Sequence, residues 1–162
     1  MLFLLFKAGQ ERYAIPARRV HEVVPLVLLR FCPGAPGYVA GLLNYRGSAV
    51  PVVDLSRLLA QKPSAPRLST RIILADYASR GAGKNRLIGL MAEEVTQTVE
   101  KDESEFAQPG VAAEGAPFLG ALCCEGPDMI QLVRIEDLLP EETETLLFAE
   151  SEKEADGAAI PD

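Results

Sequence analysis

The chain has 162 residues, is 48% hydrophobic and 24% charged, and carries 16 Lys+Arg against 23 Asp+Glu, a formal net charge of −7. That composition supports a packed core and excludes a wholly disordered chain. The acidic balance, without basic runs interleaved with aromatics, argues against a dedicated nucleic-acid binder. The charge is unevenly placed: residues 1–92 hold 13 basic and 4 acidic side chains, residues 93–162 hold 3 and 19.

Short apolar runs broken by Gly, Pro, Asn and Asp recur along the chain, and few segments sustain a 3.6-residue period, so the fold class is mainly β. The opening run Met1–Phe6 lacks a basic flank and is too short for a signal-peptide core, and reads as a strand over Leu2–Phe6. Nine further strands are expected at Arg12–Ile15, Glu22–Leu29, Val39–Tyr45, Ala49–Val53, Thr70–Tyr77, Leu87–Met91, Val95–Glu100, Phe118–Cys124 and Met129–Arg134. Short helices are expected at Pro16–Val20, with proline at the first helical position, at Asp54–Leu59, where Asp54 can cap free N–H groups, and at Glu136–Leu139. Glu141–Phe148 can form a terminal helix, after which the last ten or so residues are expected to lack order.

Between these elements, Cys32–Gly37 and the Pro-containing Gln61–Ser69 read as loops, Arg80–Lys84 as a hairpin tip, and Asp102–Pro117 as a mobile surface loop. Val52–Leu59 and Leu132–Leu139 share one form, an apolar strand followed by a capped turn ending Leu-Leu, a weak echo of two similar subdomains. No segment approaches the 18 or so apolar residues of a membrane span, so direct membrane insertion is not expected. Cys32, Cys123 and Cys124 are an odd number with an adjacent pair, which fits a reducing cytoplasm.

No catalytic constellation stands out. The single histidine, His21, reads as a surface or satisfied structural residue, and Cys123 and Cys124 point to opposite faces of a strand, which opposes a shared metal. Gly83-Lys84 lacks the first glycine and the Ser/Thr of a phosphate loop, with Ala78 and Asn85 in their places. Glu93-Glu94 and Glu141-Glu142 read as solvated faces rather than acid–base pairs. Neither a cofactor nor a metal is expected.

The most distinctive stretch is Tyr38–Leu55, a hairpin joined near Asn44–Ser48, with Gly47 free to take positive φ. A long cation at its tip, Arg46, is placed to make a bidentate contact with a partner carboxylate. Gly41, Asn44, Arg46, Gly47, Pro51, Asp54 and Leu55 match the G-x-x-N-x-R-G-x-x-x-P-x-x-D-L pattern of the CheW family of chemotaxis coupling proteins, which the sequence resembles from about residue 2 to 139.

The resemblance implies two intertwined five-stranded SH3-like β-barrels with a hydrophobic seam over residues 1–140, followed by an acidic helix and tail over 141–162. It implies a non-catalytic adaptor that bridges the cytoplasmic tips of chemoreceptors to the regulatory domain of a CheA-type histidine kinase, with other adaptors as further partners in the array. Carried over by position, the partner-binding residues are Val20, Glu22, Gly41, Asn44, Arg46, Gly47, Val95 and Val99. Val20, Val95 and Val99 read equally well as core residues, and Glu22 as an ordinary surface charge. Tyr45 departs from an aliphatic family position and Glu94 from a glycine, which leaves open an alternative, surface-sensing type of pathway. The competing readings are a general SH3-like module for proline-rich peptides, which the 6% aromatic content disfavours, and a thiol-dependent enzyme using Cys32 or Cys123.

Overall fold

The computed structural model describes the backbone of residues 1–78, 85–110 and 115–156, with side chains to residue 148. Nine strands occur among the described residues: β1 (Leu2–Ala8), β2 (Glu11–Pro16), β3 (Val20–Pro25), β4 (Val39–Tyr45), β5 (Ser48–Asp54), β6 (Arg71–Ala78), β7 (Asn85–Glu100), β8 (Leu119–Glu125) and β9 (Asp128–Val133). Helix α1 (Leu55–Ala60) follows β5, helix α2 (Glu141–Asp156) comes after β9, and single 3-10 turns lie at Ala17–Arg19, Glu103–Glu105 and Ile135–Asp137.

Strand pairing divides the chain into two groups. In one, β6 pairs antiparallel with β3 and with the first half of β7, and β5 joins that half of β7 in parallel and β4 antiparallel. In the other, β1 pairs antiparallel with β2 and with the second half of β7, and β9 joins β2 in parallel and β8 antiparallel. The groups therefore alternate along the chain: β1–β2 belong to one, β3–β5 and β6 with early β7 to the other, and late β7 with β8–β9 to the first again.

The echo in the sequence extends to the backbone. Arg30 and Leu42 exchange both N–H···O bonds, at 2.9 and 2.8 Å, and Ala107 and Leu122 do the same at 2.8 Å each. The Asp54 N–H donates to the Tyr38 carbonyl at 2.8 Å, and the Arg134 N–H to the Phe118 carbonyl at 2.7 Å. Similar hydrogen bonds at corresponding places mean that the two phrases ending Leu-Leu stand in similar frameworks.

Three apolar clusters explain the unbroken hydrophobic runs. Phe3 and Leu5 of β1 face a cluster with Ala14 and Ile130, whereas Leu4 and Phe6, on the other side of the pleat, enter a central cluster. In β6, Ile72 and Leu74 join Leu43, Val50 and Val52, while Ile73, Ala75 and Tyr77 turn to the central cluster. A strand covered on both faces needs apolar residues at every position. Each large side chain so buried contributes about 1.5–3 kcal/mol, and the central cluster draws on both strand groups. Leu147 and Phe148 of α2 also enter it, with the Phe148 ring stacked 5.4 Å from that of Tyr77.

Several elements differ from expectation. The runs Leu87–Met91 and Val95–Glu100 are one strand, because β7 changes partners without ending: its ladder with β6 closes at Arg71↔Ala92 and that with β1 opens at Lys7↔Glu93. Glu94, at φ +49°, marks the transition. The strand expected over Glu22–Leu29 stops at Pro25, which lacks a ladder donor. Pro16 closes β2 and precedes a 3-10 turn rather than opening a helix, and the helix expected at Glu136–Leu139 is a 3-10 turn starting at Ile135.

Asp102–Pro117 is partly ordered. Asp102 and Glu105 form a capping box, and Ala107 is tied to Leu122. Helix α2 runs to Asp156, past the Phe148 limit expected for it, and residues 157–162 lie outside the described residues, as does the hairpin tip expected at Arg80–Lys84.

Candidate protein-docking site

The β4–β5 hairpin turns in two residues between the paired Tyr45 and Ser48. Both central residues take positive φ, Arg46 at +49° and Gly47 at +84°, the geometry that matches the twist of the flanking strands. Gly47 adopts it freely, whereas a side chain such as that of Arg46 costs about 1–2 kcal/mol there. The Asn44 side-chain oxygen accepts from the Gly47 N–H at 3.1 Å and holds the turn closed.

The remaining motif residues build the hairpin's base. Gly41, at φ +146°, lets the chain pass close to residue 30: a Cβ there would lie 2.5 Å from the Arg30 carbonyl oxygen. Pro51 and Leu55 are buried. Asp54 is buried as well and accepts from the Ser56 N–H at 3.0 Å, the Ser64 N–H at 3.0 Å and the Ser64 hydroxyl at 2.6 Å. It thus caps α1, as its sequence position predicts, and also anchors the loop after it; removing such a cap costs about 1 kcal/mol. Six of the seven motif residues are used by the fold. Arg46 is the exception, with its side chain 77% exposed.

Arg46 sits within a small polar cluster. Its guanidinium lies over the Tyr45 ring, 5.2 Å from the centroid, with Nη2 3.9 Å from Glu22 Oε2 on β3. The Tyr45 hydroxyl donates to the same carboxylate oxygen, and His21 meets the Tyr45 ring edge-on at 6.1 Å. The hydrogen bond to Glu22 raises the Tyr45 pKa above that of an ordinary phenol; burial adds to the rise and Arg46 opposes it.

Beside the tip lies a groove of about 720 Å³, lined by Leu28, Phe31, Cys32, Pro33, Leu42, Leu43 and residues 44–49 in part, with Arg30 as the charged side chain on its wall. Leu28 and Phe31 are exposed. Sequence reading placed the stretch up to Leu29 within a strand and missed this apolar surface. The signal was present in Pro25 followed by Leu26–Leu29, a run with no polar alternation to mark a half-buried ladder.

The other expected site residues are placed differently. Val20 is half-buried against the central cluster and neighbours Glu22 on β3. Val95 is 2% exposed and belongs to the core; its carbonyl accepts from Arg71 Nη1 at 3.1 Å. Val99 is partly buried against Phe3 and Leu5 in the second strand group. The structure thus brings Glu22, Asn44, Arg46 and Gly47 together at the hairpin tip, leaves Val20 two residues from Glu22 on β3 and Gly41 at the hairpin's base, and sets Val95 and Val99 on the later half of β7. Cys123 is buried and Cys124 exposed, on opposite faces of β8.

An interleaved β fold whose motif spends its side chains on a hairpin and leaves one cation to solvent has the form of a scaffold protein. Residues 2–143 match the family model described as CheW-like domain, and the chain belongs to that family. It is accordingly a scaffold of chemotaxis signal transduction. Over 150 residues it is 31% identical to the chemotaxis protein CheW of Klebsiella aerogenes, a match spanning 90% of this chain and 85% of that one. It is 29% identical over 142 residues to the CheW of Rhizobium meliloti, with 86% and 87% coverage. The crystal structure of the scaffolding protein TtCheW from Thermoanaerobacter tengcongensis shares the fold, with a TM-score of 0.75 at 24% identity over 88% of this chain and 89% of that one.

Proposed function

We propose that this chain couples the cytoplasmic tips of chemoreceptors to the regulatory domain of a CheA-type histidine kinase, working in the cytoplasm at membrane-associated receptor arrays. Each strand group closes as one five-stranded SH3-like barrel, with the central apolar cluster as the seam between them. The receptor-facing surface comprises Val20, Glu22, Arg46 and Val99, shaped by the backbone of Gly41, Asn44 and Gly47, with Val95 supporting it from the core. The observation that carries this reading is Arg46: it is exposed at the apex of a turn it strains, while every other motif residue has work inside the fold. Leu28 and Phe31 on the wall of the adjacent groove supply apolar area to bury at roughly 25 cal/mol per Å², and a guanidinium fork beside it fixes orientation on a partner carboxylate.

Size-exclusion chromatography with a cognate receptor-tip fragment and, separately, with the cognate kinase regulatory domain tests the proposal. Co-elution with each is expected, and co-elution with neither overturns it. Arg46→Glu is expected to weaken a complex at least tenfold while the melting temperature hardly moves, since an exposed side chain is exchanged. A large drop in stability would make Arg46 structural.

A further inference from the structure

Tyr45 touches three polar side chains at the hairpin tip. Its hydroxyl engages Glu22, its face carries Arg46, and its edge meets His21. An aliphatic residue, usual at this place by resemblance, offers neither a donor for the carboxylate nor a face for the guanidinium. The 3.9 Å between Arg46 and Glu22 is too long for a hydrogen bond, so Arg46 keeps its donor fork available although a carboxylate stands next to it. The phenol explains why: it occupies the Glu22 oxygen nearest Arg46.

We propose that Tyr45 is a positioning residue that sets partner specificity, holding Glu22 back from Arg46 and laying the guanidinium flat for a carboxylate on an acidic protein surface. This rests on the hairpin being a docking site. Without the hydroxyl, Glu22 closes on Arg46 and competes with the partner for the same donors. With an aliphatic residue, the guanidinium also loses its platform and the side-chain freedom that binding must remove is restored.

The test measures affinity for the cognate receptor-tip fragment and kinase regulatory domain with Tyr45→Phe, Glu22→Gln and the double variant. Tyr45→Phe keeps the ring and is expected to weaken the complex by about fivefold, the order of one hydrogen bond's worth of positioning. In the Glu22→Gln background, where the competitor is gone, Tyr45→Phe is expected to cost almost nothing further, whatever Glu22 itself contributes to the partner. A Tyr45→Phe loss of the same size in both backgrounds, with the melting temperature intact, overturns the proposal. A second readout needs no partner: ultraviolet titration of the Tyr45 phenol, taken as the difference from Tyr45→Phe, in the free full-length chain. Glu22→Gln is expected to lower that pKa toward the ordinary value, and an unchanged titration overturns the clamp. If the wild-type chain binds neither fragment, the docking function fails, and the phenol titration alone decides whether Tyr45 holds Glu22.

Discussion

The β4–β5 and β8–β9 hairpins occupy equivalent places in the two strand groups, and each turns in two residues and meets a charge from outside the hairpin. At the first tip the hairpin supplies the cation: Arg46 stands 77% exposed, 3.9 Å from Glu22. At the second the signs are reversed. Glu125 accepts from Lys101 Nζ at 2.6 Å, and the Lys101 side chain is only 10% exposed. Their turns also differ, with Arg46 and Gly47 both at positive φ in one, and Gly126 at +59° followed by Pro127 in the other. Topology fixes where a tip stands. Local side chains decide whether its charge is consumed inside the molecule or offered to something outside it.

Changes that respect this contrast test it at decreasing amplitude. Gly41→Ala and Gly120→Ala alter matching strands, β4 and β8. At Gly41 the new Cβ meets the Arg30 carbonyl oxygen at 2.5 Å and φ is +146°, whereas at Gly120 the nearest atom is the Leu132 carbonyl oxygen at 3.2 Å. Urea denaturation should show a loss of about 2–4 kcal/mol for the first and about 1 kcal/mol for the second. Equal losses would remove the asymmetry between the strands.

At the tips themselves the signs should differ. Gly126→Ala is expected to cost about 1 kcal/mol, because φ there is positive, while Arg46→Gly is expected to leave stability unchanged or raise it by up to about 1 kcal/mol as the turn relaxes. Calorimetry measures both, and a destabilising Arg46→Gly would show that Arg46 holds the fold. Glu94 poses the same question where β7 changes partners. It pairs with Lys7 at 3.2 Å but sits at φ +49°. Glu94→Gly should exceed Glu94→Ala in stability by about 1 kcal/mol, since both lose the exposed ion pair and only glycine relieves the backbone.

The smallest effect is a pH dependence confined to the closed tip. The hydrogen bond and charge of Lys101 lower the Glu125 pKa, and the hydrogen bond to Glu125 raises that of Lys101 despite its burial. A lowered carboxylate pKa gives stability that is present above the ordinary carboxylate range and lost as pH falls through the folded value. A raised lysine pKa gives stability that is present below the ordinary lysine range and lost as pH rises through the folded value. Lys101→Met should therefore lower the melting temperature most at neutral pH, and the difference from wild type should shrink toward pH 3. A constant difference would mean that the pair contributes packing alone.

Much of this was legible in the sequence. The β class, the hairpin and the Asp54 cap follow from short-range rules, in which apolar alternation, a turn glycine and a side-chain acceptor act within a few residues. What sequence could not reveal was partner exchange. Nothing local distinguishes two strands from one strand that leaves β6 for β1 at Glu94, because the choice is made by ladders 20 to 90 residues away. Val95 shows the same limit: its apolar character suits a groove or a core equally, and only the packing of β7 decides for the core. Arg46 was recognisable as a projecting cation, but its platform was not, since Glu22 reaches Tyr45 from another strand.

The interleaving of the two groups constrains how the molecule is made. Residues 12–14 of β2 find their parallel partners only at 130–132 of β9, so during synthesis β2 waits for a strand made more than a hundred residues later. The middle of the chain, β3 to early β7, can close first and alone, and the outer segments then assemble around it. Long-range pairing of that kind folds slowly and exposes strand edges meanwhile. Cleavage within residues 61–69 would leave two fragments, each holding a hairpin whose partners lie in the other, so neither should fold in isolation and the two should regain structure when mixed.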